Sequence, residues 1–373
     1  MVINRINVDG YKNLENISLD LDPKMNIICG ENAQGKTNLI EAIWLCSGCR
    51  SFRGTRDKDF IGFEKDSAEV EMTFTDAVRQ QEIRFAVNKN SIKDKLVTLN
   101  GVKLPLLSRL FGSFKCVVFT PEDLNLIKGA PEVRRNFVDM SISQVKHSYV
   151  NALNNYNQAL NQRNALLKSL SSGSGDASSL DIWDAQLAKA GAYISVLRYT
   201  YSKILNKYTS QLYAKITERR EILDLFYRST VFGKTLAGRT DYDGELAWEY
   251  EQKLKASLSN DLRAGFTTIG IHRDDLESYV NGMDVRYFGS QGQSRSVALS
   301  MKLAHARVLK AEQGEYPVIL LDDVLSELDP KRQQFVLNNI DGMQVIITCC
   351  DSRSVTDLKE GRVFTMKNGK AGE

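Results

Sequence analysis

Residues 25–41 read Met25-Asn26-Ile27-Ile28-Cys29-Gly30-Glu31-Asn32-Ala33-Gln34-Gly35-Lys36-Thr37-Asn38-Leu39-Ile40-Glu41, and the fold follows from how they divide. Met25 to Cys29 is a mostly apolar run with the character of a buried strand, Gly30 to Thr37 fit G-x-x-x-x-G-K-[ST], and the residues after Thr37 open a helix. Strand, glycine-rich turn and helix N-terminus in that order are what a P-loop requires. The chemistry is anion capture. Backbone amides of Glu31, Asn32, Ala33, Gln34 and Gly35, joined by the positive end of the helix dipole near Asn38, point at a polyphosphate. Gly30 and Gly35 allow a close backbone approach that a Cβ would block. Lys36 neutralises the β- and γ-phosphates and so assists catalysis, while the Thr37 hydroxyl holds Mg²⁺. At background composition the pattern arises by chance on the order of once in a hundred chains of this length.

A chain of 373 residues buries a large core and divides into two domains. With 42% hydrophobic and 25% charged residues it is neither disordered nor fibrous. A formal net charge of +3 does not by itself name nucleic acid as a partner, so any basic surface has to be local. No apolar run approaches a membrane span, and Met1-Val2-Ile3-Asn4-Arg5 does not read as a secretory leader. The six cysteines (Cys29, Cys46, Cys49, Cys116, Cys349 and Cys350) fall mainly in apolar stretches, which suits reduced thiols in a cytoplasmic protein. Cys46-Ser47-Gly48-Cys49 is a C-x-x-C, but it has no second C-x-x-C and no nearby His to complete a metal site.

Two alternating segments, Ile3–Val8 and Ile17–Leu21, predict antiparallel strands ahead of the P-loop strand. More alternation follows at 68–75, 82–87 and 97–99, with Asn100-Gly101 as a hairpin turn, and Cys116–Phe119 reads as a buried strand. From Pro131 the period becomes helical. Tyr149, Leu153, Tyr156, Leu160 and Leu167 keep one face, interrupted by Arg163; the Ser/Gly-rich stretch 171–179 breaks it; Trp183 through Tyr208 resume it. An antiparallel helical hairpin over 132–216 is expected, with arms of about 35 residues and about 50 Å, either projecting or packed back. The expected division is an ATPase head in two parts, 1–130 and 271–373, around an inserted, mainly helical lobe at 131–270.

Val318-Ile319-Leu320-Leu321-Asp322-Asp323 puts two carboxylates at the end of an apolar strand. Beside the P-loop strand this delivers Asp322 to the Mg²⁺ shell and leaves Asp323 as the general base for the attacking water. Upstream, Gly289-Ser290-Gln291-Gly292-Gln293 opens a helix and offers a second anion site in Ser290, Gly292 and Gln293. Downstream lie Ser326-Glu327-Leu328-Asp329-Pro330 and a last strand, Val345–Thr348.

The order of P-loop, S-x-G-Q, Asp-Asp strand and S-E-L-D resembles the ABC-type ATPase heads of the SMC group, an α/β fold with a mixed sheet and flanking helices. Lys36 and Ser290 lie 254 positions apart, far more than in transporter cassettes. Within the group the chain is most similar to the bacterial recombination mediators. That likeness is carried by Gly10-Tyr11-Lys12-Asn13, Arg50-Ser51-Phe52-Arg53, Phe119–Leu124, Asn125–Gly129 with Arg134-Arg135, His272-Arg273-Asp274-Asp275 and Asp322–Asp329. The resemblance implies that two chains sandwich ATP head to tail, the P-loop and Asp322 of one facing Ser290 and Gly292 of the other. It also implies binding to DNA at junctions of single and double strand, and action with the RecO and RecR proteins to load RecA at gaps. Asp323 where transporters carry Glu, and Thr348 where they carry a switch His, imply slow hydrolysis.

Arg53 resembles the arginine loop of SMC heads, which reaches nucleotide or DNA. Arg134 and Arg135, with Lys146, Lys203, Lys207, Arg219 and Arg220, are candidates for phosphate contacts, although a charged residue taken singly is usually a solvated one. Two other functions stay open: a metabolic P-loop kinase, which explains Lys36 and Asp322 but neither Ser290–Gln293 nor Ser326–Asp329, and the ATPase subunit of a transporter.

Overall fold

The computed structural model of the chain describes residues 1–48, 50–91, 95–174, 176–233, 236–239, 241–350 and 361–372. It divides into two compact units, one comprising 1–123 with 298–373 and the other 124–297.

The first unit holds two six-stranded sheets. One is antiparallel throughout, from strands Val2–Asp9, Ile17–Asp20, Ser67–Thr75, Gln80–Asn88, Leu96–Leu99 and Val102–Lys103. Its strands alternate buried and exposed residues, as the sequence pattern requires of a sheet with one covered face. The second sheet runs Lys370–Gly372, Arg362–Lys367, Met25–Cys29, Val345–Cys349, Val318–Leu321 and Cys116–Phe119, parallel except at its first edge strand. Val318–Leu321 and Cys116–Phe119 are buried along their whole length, which explains their unbroken apolar runs. Val345–Cys349 is not the last strand. Arg362–Lys367 follows and pairs in parallel with the outer side of the P-loop strand. Because these strands point the same way, the loops after Cys29, Leu321 and Phe119 open on one carboxyl edge, where α/β sheets hold their ligands.

The second unit runs from 124 to 297 rather than 131 to 270. The reason is strand pairing: Asp275–Val280 pairs antiparallel with Leu223–Arg228, and Met283–Asp284 adds a third strand, tying the segment after 270 to the lobe. The hairpin arms are His147–Ser171 and Leu180–Ile216, of 25 and 37 residues. The first arm is shorter than expected because Lys146 takes an extended backbone (φ −132°, ψ 102°) that separates it from helix Pro131–Val145. The second arm packs along the first, along helix Gly244–Ala264 and along strand Leu223–Arg228, so the hairpin is part of its lobe's core. Arg163, which breaks the apolar face in the sequence, is buried there. It donates to Asp184 (2.5 Å), Asp261 (2.6 Å) and Thr267 (2.9 Å), each of which the hydrophobic pattern alone leaves invisible.

Candidate nucleotide site

The P-loop is shaped by its glycines. Gly35 has φ 109°, and a Cβ there would lie 2.7 Å from Leu14 Cδ2; a Cβ on Gly30 would lie 2.4 Å from the Met366 carbonyl oxygen. Ala33, at φ 65°, adds a second left-handed residue to the turn, and alternation of this kind turns successive N–H groups towards one concavity. Helix Lys36–Leu45 starts directly after Gly35. The loop is braced from outside: Gly30 N donates to the Cys349 carbonyl (3.2 Å), and the turn of the C-terminal hairpin donates from Gly369 N to the Gln34 carbonyl (3.1 Å) and from Asn368 N to Gln34 Oε1 (2.5 Å). The Asn32 amide oxygen accepts from the Cys350 thiol at 3.1 Å.

Lys36 is buried with its ammonium bonded to the carbonyls of Gly30 (2.7 Å) and Glu31 (3.0 Å). Neutral partners leave its charge available to an anion. One turn of chemistry away, Thr37 Oγ1 donates to Asp322 Oδ1 (3.0 Å), and Thr348 Oγ1 donates to the same oxygen (2.9 Å) while accepting from Asp323 N (2.8 Å). Parallel register produces this meeting: Thr348 stands opposite Ile28 of the P-loop strand, and Ile347 opposite Leu321 just before Asp322. Burial pushes the Asp322 carboxyl up to about 6, against the two hydroxyl bonds, with the neighbouring Asp323 charge adding to the rise. One carboxylate and one hydroxyl, with no cluster of three metal-ligating side chains among the described residues, suit Mg²⁺, which keeps waters and takes phosphate oxygens for the rest of its shell. The donor set thus fits a magnesium nucleotide.

Asp323 has φ 49°, a conformation costing on the order of 1 kcal/mol for a non-glycine residue. It is held by its own N–H to Thr348 and by the Ser326 hydroxyl on its carbonyl (2.7 Å). Asp329 then caps helix Pro330–Asn339 through Arg332 N (3.0 Å), so Ser326–Asp329 is a built turn beside the base candidate. Glu41, in the P-loop helix, is fully buried and gathers Lys12, Ser51 and Thr55. Arg53 lies 3.9 Å from Glu41 and donates to Asn38 Oδ1 (3.1 Å), on the first turn of the P-loop helix. Of its two readings, this location favours nucleotide over DNA. The sequence pattern offered no signal for Glu41, which looks like any helix-face carboxylate, and Thr348 stood out only as a missing His.

In the second unit Ser290 and Gln293 form a reciprocal cap. Gln293 N donates to Ser290 Oγ (3.1 Å) and Ser290 N to Gln293 Oε1 (2.9 Å), while Gln293 Nε2 reaches Glu221 (2.8 Å). Ser290 remains exposed at the start of helix Gln291–Gln313, with Gly292 half-buried after it, and its hydroxyl, which accepts from Gln293 N, also carries a proton to donate. Arg134, a candidate for DNA contact, is instead buried. Its guanidinium binds both oxygens of Asp275 (2.6 and 2.8 Å) and the carbonyl of Gly129 (3.0 Å), which leaves nothing for a phosphate. Arg135 is half-buried and donates to the Asp274 carbonyl (2.8 Å). His272 bonds Tyr156 (2.8 Å) and the Thr267 carbonyl (3.1 Å), and burial pushes its pKa down to about 4, so His272–Asp275 is a structural knot of the lobe. Of the C-x-x-C, Cys46 is buried with its thiol donating to the Ala42 carbonyl (3.8 Å), and Cys49 lies outside the described residues.

Fold and site together define an ABC-type P-loop ATPase head. The family described as "RecF/RecN/SMC N terminal domain" matches residues 2–371. The chain is 38% identical over 349 residues to "DNA replication and repair protein RecF" of Lachnoclostridium phytofermentans, covering 94% of this chain and 92% of that one. It is 37% identical over 372 residues to the protein of the same name from Alkaliphilus oremlandii, covering 99% and 100%. The solved structure described as "the recombination mediator protein RecF-ATPrS in RecFOR pathway" superposes with a TM-score of 0.91 at 34% identity, covering 99% of this chain and 97% of that one. The chain belongs to the RecF family. Among the described residues no helix is long and apolar enough to cross a membrane.

Proposed function

We propose that this protein is an ATP-gated DNA-binding protein of recombinational repair, working in the cytoplasm. The observation that carries the reading is the joined set of Lys36, Thr37, Asp322, Thr348 and Asp323 on one sheet edge, in a chain whose full-length relatives are named for DNA replication and repair. Bound Mg²⁺ would supply charge neutralisation between the phosphates, held by Thr37 and Asp322. Lys36 holds the phosphate oxygens and Asp323 accepts a proton from the attacking water. Ser290, Gly292 and Gln293 of a second copy complete the shell by donating from a capped helix N-terminus, so ATP becomes part of a head-to-tail homodimer interface. The shorter Asp323 and the non-titrating Thr348 make turnover slow, and hydrolysis releases the clasp from DNA. DNA is held by its backbone without regard to sequence, at junctions of single and double strand, with RecR and RecO as direct partners and RecA loading as the outcome.

Light scattering with and without ATP tests this. Mass should double with ATP, and Ser290→Arg should abolish the doubling while leaving nucleotide binding intact. Asp323→Asn should keep binding and dimerisation and lose hydrolysis, and Lys36→Met should lose ATP-dependent binding to gapped DNA. A monomer in both states would overturn the dimer and favour a kinase-like enzyme, while unchanged turnover in Asp323→Asn would remove that residue from its role.

A further inference from the structure

Several cations of the helical lobe are taken up by acids, and one arm carries a run of them that is not. Buried Arg134, Arg163 and Arg198 are each tied to a buried or half-buried carboxylate, and at the surface Arg228, Arg239, Lys253 and Lys255 each meet an acid. Between residues 185 and 217, by contrast, the sequence has no Asp or Glu. Across that stretch helix Leu180–Ile216 carries Lys203, Lys207, Gln211 and Lys215 at four-residue spacing, a row that winds slowly around the helix, and Arg219 follows in the left-handed turn (φ 58°) just past its end. All five are exposed, and among the described residues none of the four cations pairs with a carboxylate. Lys189, also exposed, precedes Lys207 by 18 residues, close to five whole turns, and so shares its face. Lys203 lies over the Tyr199 ring, 5.4 Å from its centroid.

Packing does not account for these residues. The lobe-facing side of the same arm is a different set: Leu205, Leu212, Tyr213 and Ile216 are buried, Asn206 Oδ1 accepts from Leu225 N (2.8 Å), and Ser210 Oγ donates to the Leu223 carbonyl (2.6 Å). Like charges four residues apart on a helix repel one another, so an uncompensated ladder costs stability unless an anion lies along it. Its cations from Lys203 to Lys215 span about 18 Å, room for about five phosphates of one strand. No large apolar side chain of this arm between 199 and 217 is exposed, which removes the apolar centre that a protein interface would need.

We infer that the ladder Lys203, Lys207, Gln211, Lys215 and Arg219 is a contact surface for the sugar–phosphate backbone of nucleic acid. The inference rests on the DNA-binding reading above and assigns it a location: Lys203, Lys207 and Arg219 are kept from the basic residues noted in the sequence, Lys215 is added, Arg134 is excluded by burial and Arg220 by its pairing with Glu218.

The test is fluorescence anisotropy of labelled duplex and gapped DNA with ATP over a series of NaCl concentrations. It compares wild type, the variant K203Q/K207Q/K215Q/R219Q, and K253Q/K255Q as a control whose lysines already have acidic partners. Each lost phosphate contact should lower the slope of log K against log salt by about 0.9, so the fourfold variant should lose about 3–4 in slope and weaken equally on unrelated sequences. Its ATP-dependent doubling of mass should persist, which shows that the nucleotide site and fold are intact. Wild-type binding with an unchanged slope in the fourfold variant would overturn the ladder while leaving DNA binding in place, as would an equal loss in the control. Failure of wild type to bind DNA while it still dimerises with ATP would overturn the DNA reading and the ladder with it.

Discussion

Asp322→Asn should stabilise the nucleotide-free protein, and the gain should depend on pH. Burial holds the Asp322 carboxyl at about 6 in the fold against 3.8 as its ordinary value, despite the Thr348 and Thr37 hydroxyls that favour its charged form. The folded state therefore holds this proton more tightly than the unfolded chain does. Below pH 3.8 both states carry it and the residue costs nothing. As pH rises through about 6, the fold must release the proton against its preference, and stability falls. At about 1.4 kcal/mol per pH unit the full cost is about 3 kcal/mol, reached above pH 6–7. Asparagine has the same shape, still accepts from Thr37 and Thr348, and never ionises. Urea or thermal unfolding of both proteins from pH 4 to 8 should give near-equal stability at pH 4 and a gap of about 3 kcal/mol at pH 7.5, or roughly 6–12 °C in melting temperature for a unit of this size. Magnesium ATP should stabilise wild type and have little effect on the variant, because a cation at Asp322 removes the cost of its charge. A gap that does not change with pH, or a variant less stable than wild type at pH 7.5, would refute the reasoning.

Thr348→Val leaves the Asp323 N–H without its acceptor and Asp322 without a donor, so a loss of about 1–3 kcal/mol is expected, with Thr348→Ser close to wild type. The same change should move the pH midpoint of the Asp322 effect upward, measurable as a shift in the wild-type minus Asp322→Asn difference, since the Thr348 hydroxyl is a force holding that pKa down. Arg163→Met strands two buried acids, Asp184 and Asp261, and should destabilise the helical lobe by about 3–5 kcal/mol in urea unfolding.

Much of this architecture is legible in the sequence because the relevant residues are neighbours in the chain. The strand–turn–helix around Gly30–Thr37, the alternation at 68–75 and the capped turn at Ser326–Asp329 are all local patterns. What the pattern could not give is pairing across long separations. Strand Arg362–Lys367 joins the P-loop strand more than 330 residues away, and the segment after residue 270 belongs to the lobe only because Asp275–Val280 finds Leu223–Arg228. Charge was misleading for a related reason. Arg134 and Lys203 are both plain basic residues on helices; one is consumed by Asp275, 141 positions on, and the other has no carboxylate partner among the described residues. Burial and partner decide the role of a cation, and neither is a property of its immediate neighbours.

Thr348 shows how a small side chain ties the site together. A single hydroxyl donates to Asp322 and accepts from Asp323 N–H, so the metal candidate and the base candidate are set by one atom. Asp323 needs that anchor because its left-handed backbone would otherwise relax. An imidazole at this position would bring a group that titrates between pH 5 and 8 next to a carboxyl at about 6, and the two would exchange charge across the working range. The hydroxyl adds no titrating group of its own beside the raised Asp322 carboxyl, whose charge a bound cation would set. Magnesium nucleotide held at Thr37 and Asp322 would fix the protonation of Asp322 and, through Thr348, the position of Asp323. A site arranged this way would answer to occupancy, which is what the ATP-gated clasp proposed above needs.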